Sequence, residues 1–211
     1  EMNIVRKDLS QMKVKVALAF PEVYELGMSH IGLKILYHLC NQIPDIAAER
    51  VYCPWLDMEA KMRENQIPLF TLENKVPVSE FDVVGFSLQS EFTCTNVLTM
   101  IDLAGRALFA RDRKEIFPLF IAGGPCVSNP EPMADFLDAF LIGDGEELLP
   151  EFLEKLRVLK EQDLTKEQIL RELAKIEGVY VPSLYELTYD GPKVVEYHPK
   201  YDDVPKRVKR R

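Results

Sequence analysis

A parallel, doubly wound α/β sheet with helices on both faces is predicted by two observations. Short, nearly continuous apolar runs alternate at least four times with stretches carrying apolar residues at helical spacing. Most of those runs end in glycine, proline or small polar residues and not in a tight hairpin turn. Strands buried on both faces read as continuous apolar runs, and alternation with helices forces parallel pairing through right-handed crossovers. The expected order is 2-1-3-4-5, the flavodoxin-like arrangement, with five strands.

The elements follow in order. VKVALAF (14–20) is a buried strand with proline directly after it. The loop PEVYELGMS leads to a helix on which Ile31, Ile35, Leu36 and Leu39 recur at helical spacing. ERVYCP (49–54) reads as the second strand, and DMEAKMREN as a short helix N-capped by Asp57. PLFTLE is a weak, peripheral strand. DVVGFSL (82–88) is the third buried strand. The helix after it turns Val97, Leu98, Ile101, Leu103, Ala104 and Leu108 to the core. PLFIAGG and AFLIGDG supply the last two strands. Asp144 then caps a long helix, with Glu147 completing a capping-box variant and Leu148, Leu149, Phe152, Leu153 and Leu156 forming the apolar face. Residues 1–160 make this α/β domain. Residues 161–211 form an appendage: a helix capped by Thr165 and Gln168 and closed by Gly178, a hairpin around Asp190-Gly191, and a basic linker.

Bulk properties limit the function. At 211 residues, 47% hydrophobic and 28% charged, the chain can bury a core without metal or disulfide staples. A net charge of −8 argues against general nucleic-acid binding, although the tail PKRVKRR is basic and reads as a solvated linker. The four cysteines, Cys40, Cys53, Cys94 and Cys126, form no C-x-x-C pair, so zinc and iron–sulfur spacings are missing. With no signal peptide and no apolar run near the ~20 residues of a membrane span, the expected setting is the cytoplasm, away from membranes.

Ligands of open α/β sheets bind beyond the carboxyl ends of the strands. The loops expected there are PEVYELGMSHIG, SLQSEFTCTN, GGPCVSNPEP and GDGEELL. Glycines let a flat ligand approach the backbone, and Pro125 and Pro130 stiffen the third loop. Each feature also has a plainer explanation. Gly123 and Gly124 serve equally as strand terminators. Asp144 and Glu147 suit a helix N-terminus without any acid–base role. His30, at a helix start, suits a structural hydrogen bond as well as a ligand role. Cys126 reads as a buried, inert thiol and Trp55 as a packing residue. There is no G-x-S-x-G, P-loop, H-E-x-x-H or G-x-G-x-x-G after the first strand, and no acidic cluster at its end.

IAGGPCVSNPEP followed by DAFLIGDGEELLPEF resembles the end of the cobalamin-binding domain that precedes a radical SAM domain. VALAFPEVYELGMSHIGLKILYHL, VYCPWLDMEA, DVVGFSLQSEFTCTNVL and GVYVPSLYELTY extend the similarity to a subgroup of B12-binding radical SAM proteins of the iron–sulfur oxidoreductase type, over nearly the whole chain. The resemblance implies a corrin lying across the carboxyl ends of the strands. Its contacts would be Gly27, Ser29, His30 and Gly32 in the first loop, then Ser87, Gln89, Ser90 and Glu91. Gly123, Gly124, Pro125, Pro130 and Glu131 follow, with Gly143, Asp144, Gly145 and Glu146. It also implies a downstream radical SAM domain as partner, holding a [4Fe-4S] cluster and S-adenosylmethionine through a C-x-x-x-C-x-x-C motif that this chain lacks.

One departure from the family matters. Cobalt-ligating domains carry D-x-H-x-x-G after the first strand, whereas this chain reads GMSHIG, with no aspartate two residues before His30. An imidazole ligand needs an orienting partner on its other nitrogen. The expectation is a module that is inert alone and binds cobalamin weakly or not at all in isolation, without His30 on cobalt. The alternatives are a non-binding scaffold docking on the radical SAM barrel, and, less well supported, an FMN carrier.

Overall fold

The computed structural model describes residues 4–211. Its first strand, β1 (Val14–Phe20), pairs in parallel with β2 (Ile46–Tyr52) on one side and β3 (Val83–Ser87) on the other. Next come β4 (Leu119–Gly123) and β5 (Ala139–Leu141), both parallel. The five strands thus stand in the expected order. A sixth, β6 (Val179–Tyr180), adds antiparallel to β5 and was not foreseen. The hairpin of β7 (Tyr185–Asp190) and β8 (Lys193–Pro199) forms a separate sheet, turning after Asp190 as expected.

Among the described residues six α-helices connect the strands: α1 (Tyr24–Gly27), α2 (Ile31–Gln42), α3 (Leu56–Glu64), α4 (Cys94–Leu103), α5 (Gly145–Leu159) and α6 (Lys166–Leu173). Right-handed crossovers place α2 on one face of the sheet and α3 and α4 on the other. α5 returns to the face of α2 and packs beside it. Its buried residues include Leu148, Leu149, Phe152, Leu153 and Leu156, the predicted face. α6 carries the full Thr165/Gln168 capping box.

α2 buries Leu33, Tyr37 and Cys40, while Ile31 and Ile35 of the apolar set that marked the helix face outward at 72% and 38% exposure. Several local readings differ from the structure. Asp57 is not the cap of α3. Trp55 holds that position without a side-chain bond, and Asp57 lies in the first turn accepting the Met58 N–H at 2.8 Å. Asp144 does occupy the N-cap of α5, but its side chain makes no capping bond, so no capping box forms. PLFTLE contributes only an isolated bridge between Phe70 and Pro77. The tail is not a solvated linker throughout: Val208 packs on the core and Arg211 bonds to Ile142 O through its N–H, while Lys206, Arg207, Lys209 and Arg210 are exposed.

β2 begins three residues earlier than the sequence indicated and carries two buried charges, Glu49 and Arg50. Residues 70–77 cover this edge strand. Leu72 N–H donates to Arg50 O, Glu73 accepts both the Arg50 N–H and its Nε at 2.7 Å, and Thr71 and Asn74 bond to Glu49. An edge closed in this way offers no free strand to another chain.

Candidate functional site

The carboxyl ends of β1, β3, β4 and β5 open on a cleft of about 140 Å³. Its floor is apolar, from Leu18, Phe86, Ile121, Ala122 and Leu141 on the strands and Leu33, Leu36 and Leu149 on α2 and α5. Its walls are largely backbone, through Gly32, Gly85, Gly123, Gly124, Gly143 and Gly145. His30, Ser87, Gln89 and Glu146 supply the polar groups. Of the expected residues, the cleft therefore brings together His30, Gly32, Ser87, Gln89, Gly123, Gly124, Gly143, Gly145 and Glu146.

Two glycines are required by the backbone. Gly124 has φ +106, and a Cβ there would lie 2.6 Å from Leu88 O. Gly143, at φ +149, packs against Arg211 so closely that a Cβ would overlap it. Gly123 and Gly145 differ: a Cβ at either would meet nothing nearer than Leu141 O at 3.8 Å or Leu36 Cδ2 at 3.4 Å. Glycine there keeps the cleft open. The shape suits the edge of a flat, mainly apolar group, and a whole macrocycle would have to lie over the loops.

His30 is committed to the fold. Its Nδ1 accepts the Leu33 N–H at 3.1 Å, capping α2, and its ring lies against Phe20 with centroids 4.8 Å apart. A neutral ring that accepts at Nδ1 carries its hydrogen on Nε2, which then has no lone pair for a metal. Ligation through Nε2 would require the other tautomer and loss of the cap.

The remaining expected residues lie outside the cleft. Gly27 is buried where any Cβ would overlap the Tyr52 ring. Ser29 Oγ donates to Leu26 O at 3.0 Å. Ser90 caps a short 3-10 turn through the Phe92 N–H, and Glu91 is exposed beside it. Pro125 opens the first 3-10 turn of the β4–β5 connection and Pro130 is the N-cap of the second, so both stiffen it. Glu131 faces away from the cleft and accepts the Tyr180 hydroxyl at 2.8 Å. Asp144 N–H is bound by Arg211 O at 3.3 Å. Cys126 is half-buried, not buried. Desolvation, then Glu91 and Cys94, push its thiol up, which keeps it protonated at neutral pH. Trp55 is 64% exposed and is no packing residue.

Sequence reasoning missed Gly85, Ile121 and Leu36 as lining, and the return of Arg211 to the β5–α5 loop. Gly85 was readable, because an isolated glycine inside a strand marks a close approach. Arg211 donates its N–H to Ile142 O at 3.1 Å and pairs its guanidinium with Glu147 and Glu151. Nothing local in the sequence signals that contact. Among the described residues no group of three or more His, Cys, Asp or Glu side chains could hold a metal, and no helix is long and apolar enough to cross a membrane.

A mostly parallel sheet with a glycine-walled cleft at the strand carboxyl ends is a doubly wound α/β architecture, and that edge is where such sheets take their ligands. The chain belongs, more particularly, to the N-terminal domain family of radical SAM proteins, whose model matches residues 32–182. It is 26% identical over 201 residues to an uncharacterized protein of Methanocaldococcus jannaschii, covering 92% of this chain and 34% of that one. It is also similar to TsrM, a radical S-adenosylmethionine methyltransferase from Kitasatospora setae. That match has a TM-score of 0.49 and 14% identity, over 88% of this chain and 30% of TsrM. The chain thus spans about a third of the length of each.

Proposed function

We propose that this chain is the cobalamin-binding module of a radical SAM enzyme and is catalytically inert alone. The observation that carries the reading is the glycine-walled cleft built from the β3, β4 and β5 loops whose motifs resemble cobalamin domains. Bound cobalamin would supply methyl or electron transfer. The [4Fe-4S] cluster and S-adenosylmethionine belong to a downstream radical SAM domain, the partner in this reading. This chain's residues would hold the corrin's edge against Gly123, Gly124, Gly143 and Gly145, with Ser87 and Gln89 available for its amide side groups. His30 keeps its cap and stays off cobalt. A second reading, a non-binding scaffold that docks on the radical SAM domain, is favoured by the small volume of the cleft and by that same cap.

Titration of the purified chain with hydroxocobalamin, followed by visible absorption beside a His30→Ala variant, tests the proposal. Weak, saturable binding with the same spectrum in both proteins is expected. No binding at any attainable concentration selects the scaffold. Tight binding whose spectral shift disappears in His30→Ala would overturn the assignment of His30.

A further inference from the structure

A second concavity, of about 400 Å³, lies beyond the carboxyl end of β2 and shares no lining residue with the cleft. Tyr24, Tyr52, Trp55 and Phe70 supply its aromatic lining, and Met58 and Met62 line it as well. The Tyr24 and Tyr52 rings meet edge to face at 5.4 Å. Tyr24, Trp55 and Met58 are 37%, 64% and 46% exposed, so the walls are reachable from solvent. Glu25 and Asp57 are the charged residues of the lining, and no Lys, Arg or His joins them.

We infer that this concavity binds an organic cation: an ammonium group carried on an apolar or aromatic body. Aromatic faces attract a desolvated ammonium, and two carboxylates at the rim fix the sign of the charge. Nearby cations are already engaged. Lys61 pairs with Glu64, and Arg63 pairs with Glu59 and Asp102. The positive end of α3 opposes a cation, but Asp57 and Glu59 in its first turn offset it. Cys53 in the lining adds no charge, since burial pushes its thiol up to about 11.

Trp55 is the sole tryptophan of the chain and reports on this site directly. Its fluorescence is followed while the chain is titrated with phenylpropylammonium, with neutral phenylpropanol and with anionic phenylpropanoate. Saturable quenching by the ammonium is expected at about tenfold higher affinity than by the alcohol, and none by the carboxylate. A Glu25→Gln/Asp57→Asn variant, checked for folding by circular dichroism, should lose that advantage while binding the alcohol unchanged. Glu25→Gln alone should move in the same direction. Equal affinity for ammonium and alcohol, an advantage retained in the double variant, or no saturable response would overturn the inference.

Discussion

A Cβ placed on Gly123 finds Leu141 O at 3.8 Å and otherwise open space, whereas one on Gly124 runs into Leu88 O at 2.6 Å with φ at +106. Adjacent glycines therefore do different things. Gly123→Val, at the end of β4, should leave stability within about 1 kcal/mol of the parent, because a β-branched residue suits a strand. If the proposed reading holds, it should lower cobalamin affinity at least about tenfold by filling the cleft. Gly124→Ala should destabilise by about 1–3 kcal/mol through backbone strain. Chemical denaturation and the hydroxocobalamin titration separate the two effects. In the sequence the pair was a single symbol, readable as strand terminator or as ligand wall. Telling the two residues apart needed the positions of Leu88 and Leu141, which are distant in the chain.

Helix α2 lies where the apolar spacing predicts it, and that spacing alone does not say which face is buried. Ile31, Ile35 and Leu39 repeat at helical spacing, but so do Leu33, Tyr37 and Cys40, and the second set faces the core. The more apolar stripe lost because the core accepts Tyr37, whose hydroxyl donates to Val5 O and accepts the Val5 N–H. Thermal and urea unfolding should report about 3 kcal/mol lost in Leu33→Ala and under about 0.5 kcal/mol in Ile31→Ala. The reverse ranking would mean the helix is rotated. β2 was misplaced for a related reason. Its charged Glu49-Arg50 pair reads as a strand boundary, and the return of Glu73, Thr71 and Asn74, with the Tyr37 ring against Arg50, makes those charges tolerable inside.

For the molecule as a whole, parallel strands buried on both faces announce themselves as continuous apolar runs, so the sheet order was legible. β6, two residues long, carries no periodicity to read. The carboxyl-edge site was legible as a set of loops, but not as a lining, because glycine and serine look alike whether they support a wall or form it. Stability should fall in alkali. Burial pushes Cys40 from 9.0 and Tyr37 from 10.0 up to about 12, and both groups are neutral when protonated. Raised folded-state values mean their contribution is complete below pH 9 and is lost as pH climbs toward about 12. Melting temperatures measured under reducing conditions should decline above pH 9, and Cys40→Ala should shallow that slope whatever its starting stability. Finally, the backbone of Arg211 is hydrogen-bonded to Ile142 and Asp144, flanking the same Gly143 that lines the cleft. In the proposed reading, residues 205–211 and the ligand act on one loop. By reciprocity, any factor by which a bound ligand tightens the tail's grip on residues 142–144 is the factor by which the seated tail tightens the ligand.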